Sequence, residues 1–116
     1  MKEYCVDLEI AKKLKENGFP QDIDYFYPMT DGINGNKTHY ATPYSDEILK
    51  ELPNEIKGYI LEIIRYEDGT IEADYTRNLQ YEDDKEYLID SKKLFYKLSD
   101  SLADLWLDLK KEGYIK

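Results

Sequence analysis

Cysteine and histidine are almost missing from this sequence: Cys5 and His39 are the only ones. A lone cysteine excludes an intramolecular disulfide and any cysteine-cluster metal site. Nothing around Cys5 marks an activated thiol, so it reads as a packed one. His39 has no second histidine for a metal and no serine or cysteine nucleophile in a recognisable setting, and beside Tyr40 it reads as structural. A glycine-rich phosphate loop is missing too. DGINGN (31–36) has no strand-to-helix context, its acids do not alternate, and no glutamate closes a twelve-position calcium loop. No catalytic residue, metal ligand or cofactor is therefore expected. No apolar run approaches the roughly 20 residues of a membrane span. The opening MKEYCVDLEIAKKLKE mixes acids among its apolar residues and lacks a signal-peptide apolar block. The expectation is a cytoplasmic protein without membrane contact.

Bases are in short supply. Sixteen stand against twenty-five acids, for a net charge of −9 over 116 residues. Ten acids and three bases fall between Glu62 and Asp90, so −7 of the −9 sits in one quarter of the chain. Direct nucleic-acid binding needs phosphate neutralisation and is not expected; a partner with a basic surface is. The densest acids lie in YEDDKEY (81–87). They read either as a solvated loop or as an electrostatic bait, with Glu82, Asp83, Asp84 and Glu86 imitating phosphates.

What is present points to one globular domain, 1–116. Hydrophobic residues make up 41% of the chain, enough for a core at this length, and no linker or tandem repeat divides it. The twelve tyrosines suit half-buried sheet positions or a binding surface.

LKENGF (14–19) and LKKEGY (109–114) are one phrase written twice. In each, glycine takes the left-handed position after a helix, and the aromatic that follows packs back on the leucine. The first helix starts at Asp7 and buries Leu8, Ile10, Ala11 and Leu14. The last is capped by Asp90 or Ser91 and carries Leu94, Leu98, Leu102, Leu105 and Leu109, widened by Phe95 and Trp106. Between them DYFYPM (24–29) and KTHYA (37–41) read as a hairpin. Thr42 caps a short helix with Pro43 at its first position and Tyr44, Ile48, Leu49 and Leu52 on its buried face; Pro53 ends it. GYILEIIRY (58–66) and TIEADYT (70–76) flank EDG. A two-residue turn there would set Glu62 among Ile71, Ala73 and Tyr75. A three-residue loop with Gly69 left-handed sets Tyr59, Leu61 and Ile63 there instead, and avoids burying an unpaired glutamate. The order is α-β-β-α-β-β-α, with room for a short extra strand near Tyr87-Leu88: an α+β fold, its antiparallel sheet covered by helices on one face.

On the last helix Asp100, Asp104 and Asp108 fall on the polar side, with Tyr96, Ala103 and Leu107 as a second seam beside them. The seam reads as the margin of the core, or, with Tyr96 and Leu107, as a protein contact.

Three blocks carry a resemblance: DLEIAKKLKENGF (7–19), HYATPYSDEIL (39–49) and DSLADLWLDLKKEGY (100–114). In order and spacing they resemble a family of small proteins of unknown function encoded by phages and prophages of gut Firmicutes and Bacteroidetes; the acidic 81–87 segment departs from that pattern. The resemblance implies an accessory protein of a mobile element acting inside a bacterial host cell, and transfers no activity. Composition and resemblance together lead to a non-enzymatic, acidic binding protein. Its expected partner is a host or phage protein with a basic surface, and its expected effect is inhibition of a host defence protein by nucleic-acid mimicry. The alternatives are a protein sequestering a nucleotide signal in a tyrosine-lined pocket with Arg65 or Arg77, and a virion or assembly component.

Overall fold

The computed structural model describes residues 5–22, 26–30, 37–78, 85–89 and 93–116. In chain order these form α1 (Leu8–Glu16), β1 (Phe26–Thr30), β2 (Lys37–Ala41), α2 (Ser45–Lys50), β3 (Glu55–Ile56), β4 (Tyr59–Arg65), β5 (Ile71–Asn78), β6 (Lys85–Tyr87) and α3 (Leu98–Lys111). β1 and β2 pair by themselves, and β3-β4-β5-β6 form a four-stranded antiparallel sheet. The fold is α+β, as the element order implies.

Both helix stops have the expected geometry. Gly18 and Gly113 have φ of 86° and 81°. The Phe19 amide donates to the Leu14 carbonyl, and the Tyr114 amide to that of Leu109, each at 2.9 Å. This closes the open carbonyl ends of the helices, with lysines of the last turn beside them. The EDG turn takes the three-residue form. Tyr66 N–H donates to the Thr70 carbonyl at 2.8 Å, Gly69 has φ 89°, and Leu61 and Ile63 stand opposite Tyr75 and Ala73.

Three elements depart from expectation. α3 begins at Leu98, not near Asp90 or Ser91, which lie outside the described residues. Phe95 and Ile71 exchange backbone hydrogen bonds of 2.6 and 3.0 Å as an antiparallel bridge, so Leu94 and Phe95 are extended and leave the helical stripe. α2 begins at Ser45, and Thr42 is buried ahead of it. Glu47 reaches back to accept from the Tyr44 amide at 2.9 Å, so the start is set at Tyr44; Leu49 is exposed. β3 is unforeseen. It turns into β4 through Lys57 and Gly58, with φ of 52° and 89°, the two left-handed residues of a type I′ turn. Lysine is a poor marker for such a turn.

α3 is the centre of the core. Leu102, Ala103 and Leu109 are fully buried against a cluster that includes Leu14, Ile48, Ala73 and Tyr75. A buried leucine contributes roughly 1.5–3 kcal/mol. Trp106, 5% exposed, meets Phe19 edge-on at 5.1 Å, so the stop of α1 is itself part of the core. The Tyr75 hydroxyl donates to the Pro53 carbonyl at 2.6 Å, and burial pushes its pKa up to about 12. None of the helices among the described residues is long and apolar enough to cross a membrane.

Candidate functional site

Two regions hold the residues singled out by sequence. The first is the face of the four-stranded sheet carrying Glu62 on β4, Glu72 and Asp74 on β5 and Lys85 on β6. Glu62 and Glu72 find donors within or beside the sheet. Lys85 donates to Glu62 at 2.7 Å. The Tyr66 hydroxyl donates to Glu72 at 3.2 Å, and burial followed by the Glu72 charge raises the Tyr66 pKa. Glu72 and Asp74, on a strand flanked on both sides, are each 5% exposed. Across β5, on the other face, Glu86 accepts from Arg77 at 2.6 Å and from the Tyr59 hydroxyl at 2.7 Å; the Arg77 bond, then that from Tyr59, lowers its pKa. Asp68 accepts from the Thr70 hydroxyl and amide at 2.6 and 3.0 Å, and these bonds lower its pKa. Glu82, Asp83 and Asp84 lie outside the described residues.

The Tyr96–Leu107 seam is not one surface. Tyr96 precedes α3 and is 77% exposed. Ala103 is fully buried, and Leu107 packs on the core margin in a separate groove with Lys93, Asp104 and Asp108. The late helix start divides the seam. Asp100 is not on the polar side either: it is 4% exposed. Asp104 and Asp108 pair with Lys93 at 3.3 and 3.6 Å.

The second region lies at the start of α3. Here a hollow of about 480 Å³ is lined by the ends of four elements: Tyr44, Ser45 and Asp46 at α2, Arg65 closing β4, Ile71 opening β5, and Tyr96, Lys97, Leu98 and Ser99 at α3. Pockets for small ligands have volumes of this order. The cap position of α3 is Lys97, with no side-chain cap bond; an ammonium cannot accept from first-turn amides. Ser99 is 1% exposed and its hydroxyl has no hydrogen-bond partner. Arg65 is exposed and makes no ion pair among the described residues.

Lys97 forms one wall because its ammonium is held from behind. It donates to the Cys5 carbonyl at 2.8 Å and to Asp7 Oδ1 at 2.6 Å, and lies 3.8 Å from Asp100 Oδ2. Asp7 occupies the cap position of α1 but makes no cap bond; its carboxylate serves Lys97, which lowers its pKa. The Asp7 amide donates to Asp100 Oδ1 at 2.9 Å. Burial pushes the Asp100 pKa up to about 6, against the lowering effect of that amide. The same segment forms a bridge from Cys5 to Tyr44, and Val6 N–H donates to the Pro43 carbonyl at 3.2 Å.

Of the hollow's residues, sequence reading singles out Arg65 as a basic group and Tyr96 for a different surface. Ser99 and Lys97 become visible only with the helix start at Leu98. No group of His, Cys, Asp or Glu suited to a metal occurs among the described residues. Comparison with family models, curated proteins and solved structures gave no match.

Proposed function

We propose that this chain is a non-enzymatic binding protein that sequesters a small planar, anionic ligand of the nucleotide class. The supporting observation is the hollow at the start of α3. It combines Tyr44 and Tyr96, an arginine with no ion pair among the described residues, and an uncapped helix N-terminus. Tyrosine faces suit a ring, and a cation beside a helix N-terminus suits an anion. With the sequence resemblance, the reading extends to an accessory protein of a mobile element, acting in the bacterial cytoplasm. The test is thermal denaturation against a panel of nucleosides, nucleotides and other aromatic anions. A ligand should raise the melting temperature of the wild type and not of Arg65→Ala.

The concentration of −7 between Glu62 and Asp90 favours a second reading, capture of a basic protein by acidic mimicry. Glu86 is committed to Arg77 and Tyr59, so the discriminating variant neutralises only Glu82, Asp83 and Asp84. Salt-sensitive capture of a basic protein, lost in that variant, would favour mimicry over the hollow.

A further inference from the structure

We infer that the open edge of β4 at Ile63–Arg65 is a docking site for an extended segment of another protein, one that alternates apolar and basic residues and joins the sheet as an antiparallel strand. This goes beyond the small-ligand reading and stands independently of the hollow.

The backbone defines the site. Leu61 N–H donates to the Asn54 carbonyl at 3.3 Å, whereas Tyr66 N–H donates to Thr70 on the other side. A strand alternates, so odd-numbered residues of β4 turn their amide and carbonyl toward β3 and even-numbered ones toward β5. The cover from β3 is short: it pairs with Tyr59 and Ile60 alone. Ahead of Asn54 the chain dips beneath the sheet, where the Pro53 carbonyl accepts from the buried Tyr75 hydroxyl. The amides and carbonyls of Ile63 and Arg65 therefore point off the edge, without a hydrogen-bond partner among the described residues. Sheet edges are ordinarily blunted by lysine, proline or a bulge. Ile63-Ile64-Arg65 has none of these, and β4 keeps regular register with β5 from Ile60 to Arg65. Unpaired groups repeating along a straight edge are matched by one kind of ligand, an extended backbone.

The two faces of the edge select the side chains. Ile63 lies on the core side of β4, opposite Ala73, and is still 43% exposed, so it offers apolar surface. The other side carries Glu62, Glu72 and Asp74 against Lys85. A residue of the incoming strand opposite Ile63 or Arg65 falls on the core side, and one opposite Glu62 or Ile64 falls on the acidic side. Apolar residues fit the first set of positions; lysine or arginine fits the second, directly across from Glu62. A second copy of this chain is a poor occupant. It would bring −9 against −9, and two-fold pairing about Ile64 sets Tyr66, not a base, opposite Glu62.

The test is titration of the full chain with the peptide acetyl-Lys-Val-Arg-Val-Lys-Val-Lys-amide, read by calorimetry and by amide hydrogen exchange. With valine opposite Ile63, the valine amides face β4 and those of the basic residues face away. N-methylation of the valines should therefore cost at least about tenfold in affinity, and N-methylation of the basic residues should leave it nearly unchanged. Glutamate in place of the lysines and arginine should abolish binding. The Ile63 and Arg65 amides should exchange freely in the protein alone and gain protection with peptide bound. Ile63→Pro removes an N–H that the fold does not use, at an edge position where proline is tolerated; it should lose the peptide and still fold. Should that variant not fold, the two methylated peptides decide on the wild type. Equal affinity of those two peptides, no binding of the basic peptide, equal binding of the glutamate peptide, or protection confined to amides away from Ile63 and Arg65 would overturn the inference. Self-association of the wild type that Ile63→Pro abolishes would overturn it as well, by giving the edge to a second copy.

Discussion

The sheet and the start of α3 treat their polar groups in opposite ways. On the sheet, described acids find donors nearby: Glu62 takes Lys85, Glu72 takes Tyr66, and Glu86 takes Arg77 and Tyr59. At α3 an arginine, a serine hydroxyl and a helix N-terminus share a hollow without such partners among the described residues. Among the described residues, Glu62, Glu72 and Glu86 tie neighbouring strands to one another. The groups left unsatisfied are few and almost invisible in composition. Satisfaction, more than charge density, separates what the fold uses from what it leaves for a ligand.

The largest test of this contrast is Lys97→Met. It removes the cation between two acids, one of them buried, so stability should fall by roughly 2–3 kcal/mol, below the 3–5 seen for fully buried pairs because Lys97 retains some exposure. Urea denaturation would measure it; a loss within error would mean the cluster does not hold the hollow's wall.

Asp100 gives a pH signature. Its folded pKa, about 6, lies above the ordinary carboxylate value. The folded state therefore binds more protons between about pH 4 and 6, and this group's effect is to lower stability as pH rises through that window. Asp7 is shifted downward, so its contribution is present above the ordinary carboxylate range and lost as pH falls below it. Asp100→Asn should remove the decline from pH 4 to 7 and leave the acid limb; midpoints at pH 4, 5, 6 and 7 check this.

Gly113→Ala is a smaller change. It forces a Cβ to φ 81° with no steric contact otherwise, at a cost of about 1 kcal/mol, and should shift the denaturation midpoint without altering ligand affinity. The smallest effect is expected from neutralising Glu82, Asp83 and Asp84 together. The sequence reads them as solvated-loop charges, which contribute little to stability individually, and nucleotide binding at the hollow should be unchanged; a weakened titration would tie the acids to that site.

What was legible in the sequence was local. Gly18 and Gly113 stop helices by rules contained in six residues, and Gly69 sets the register of β4 on β5 within a five-residue turn. What was hidden depends on distant pairing. Phe95 is extended because Ile71, 24 positions earlier, holds its backbone. Leucine spacing carries the stripe straight through Leu94 and cannot show this. The error moved the α3 N-terminus by about two turns and hid the turn that contains Ser99. Arg65 was legible as a basic residue near tyrosines, but its separation from Arg77, which is pinned to Glu86, is a property of the folded sheet.

The tie between the Cys5–Asp7 segment and α3 spans 90 to 93 positions of chain. During synthesis the segment cannot meet its native partner until Lys97 has left the ribosome. Contacts of such separation form late, after loop-closure entropy has been offset by local structure. Weakening the clasp should therefore speed unfolding far more than it slows folding. The hollow, whose Tyr44 and Lys97 walls both depend on that segment, is completed only when Cys5–Asp7 docks on α3.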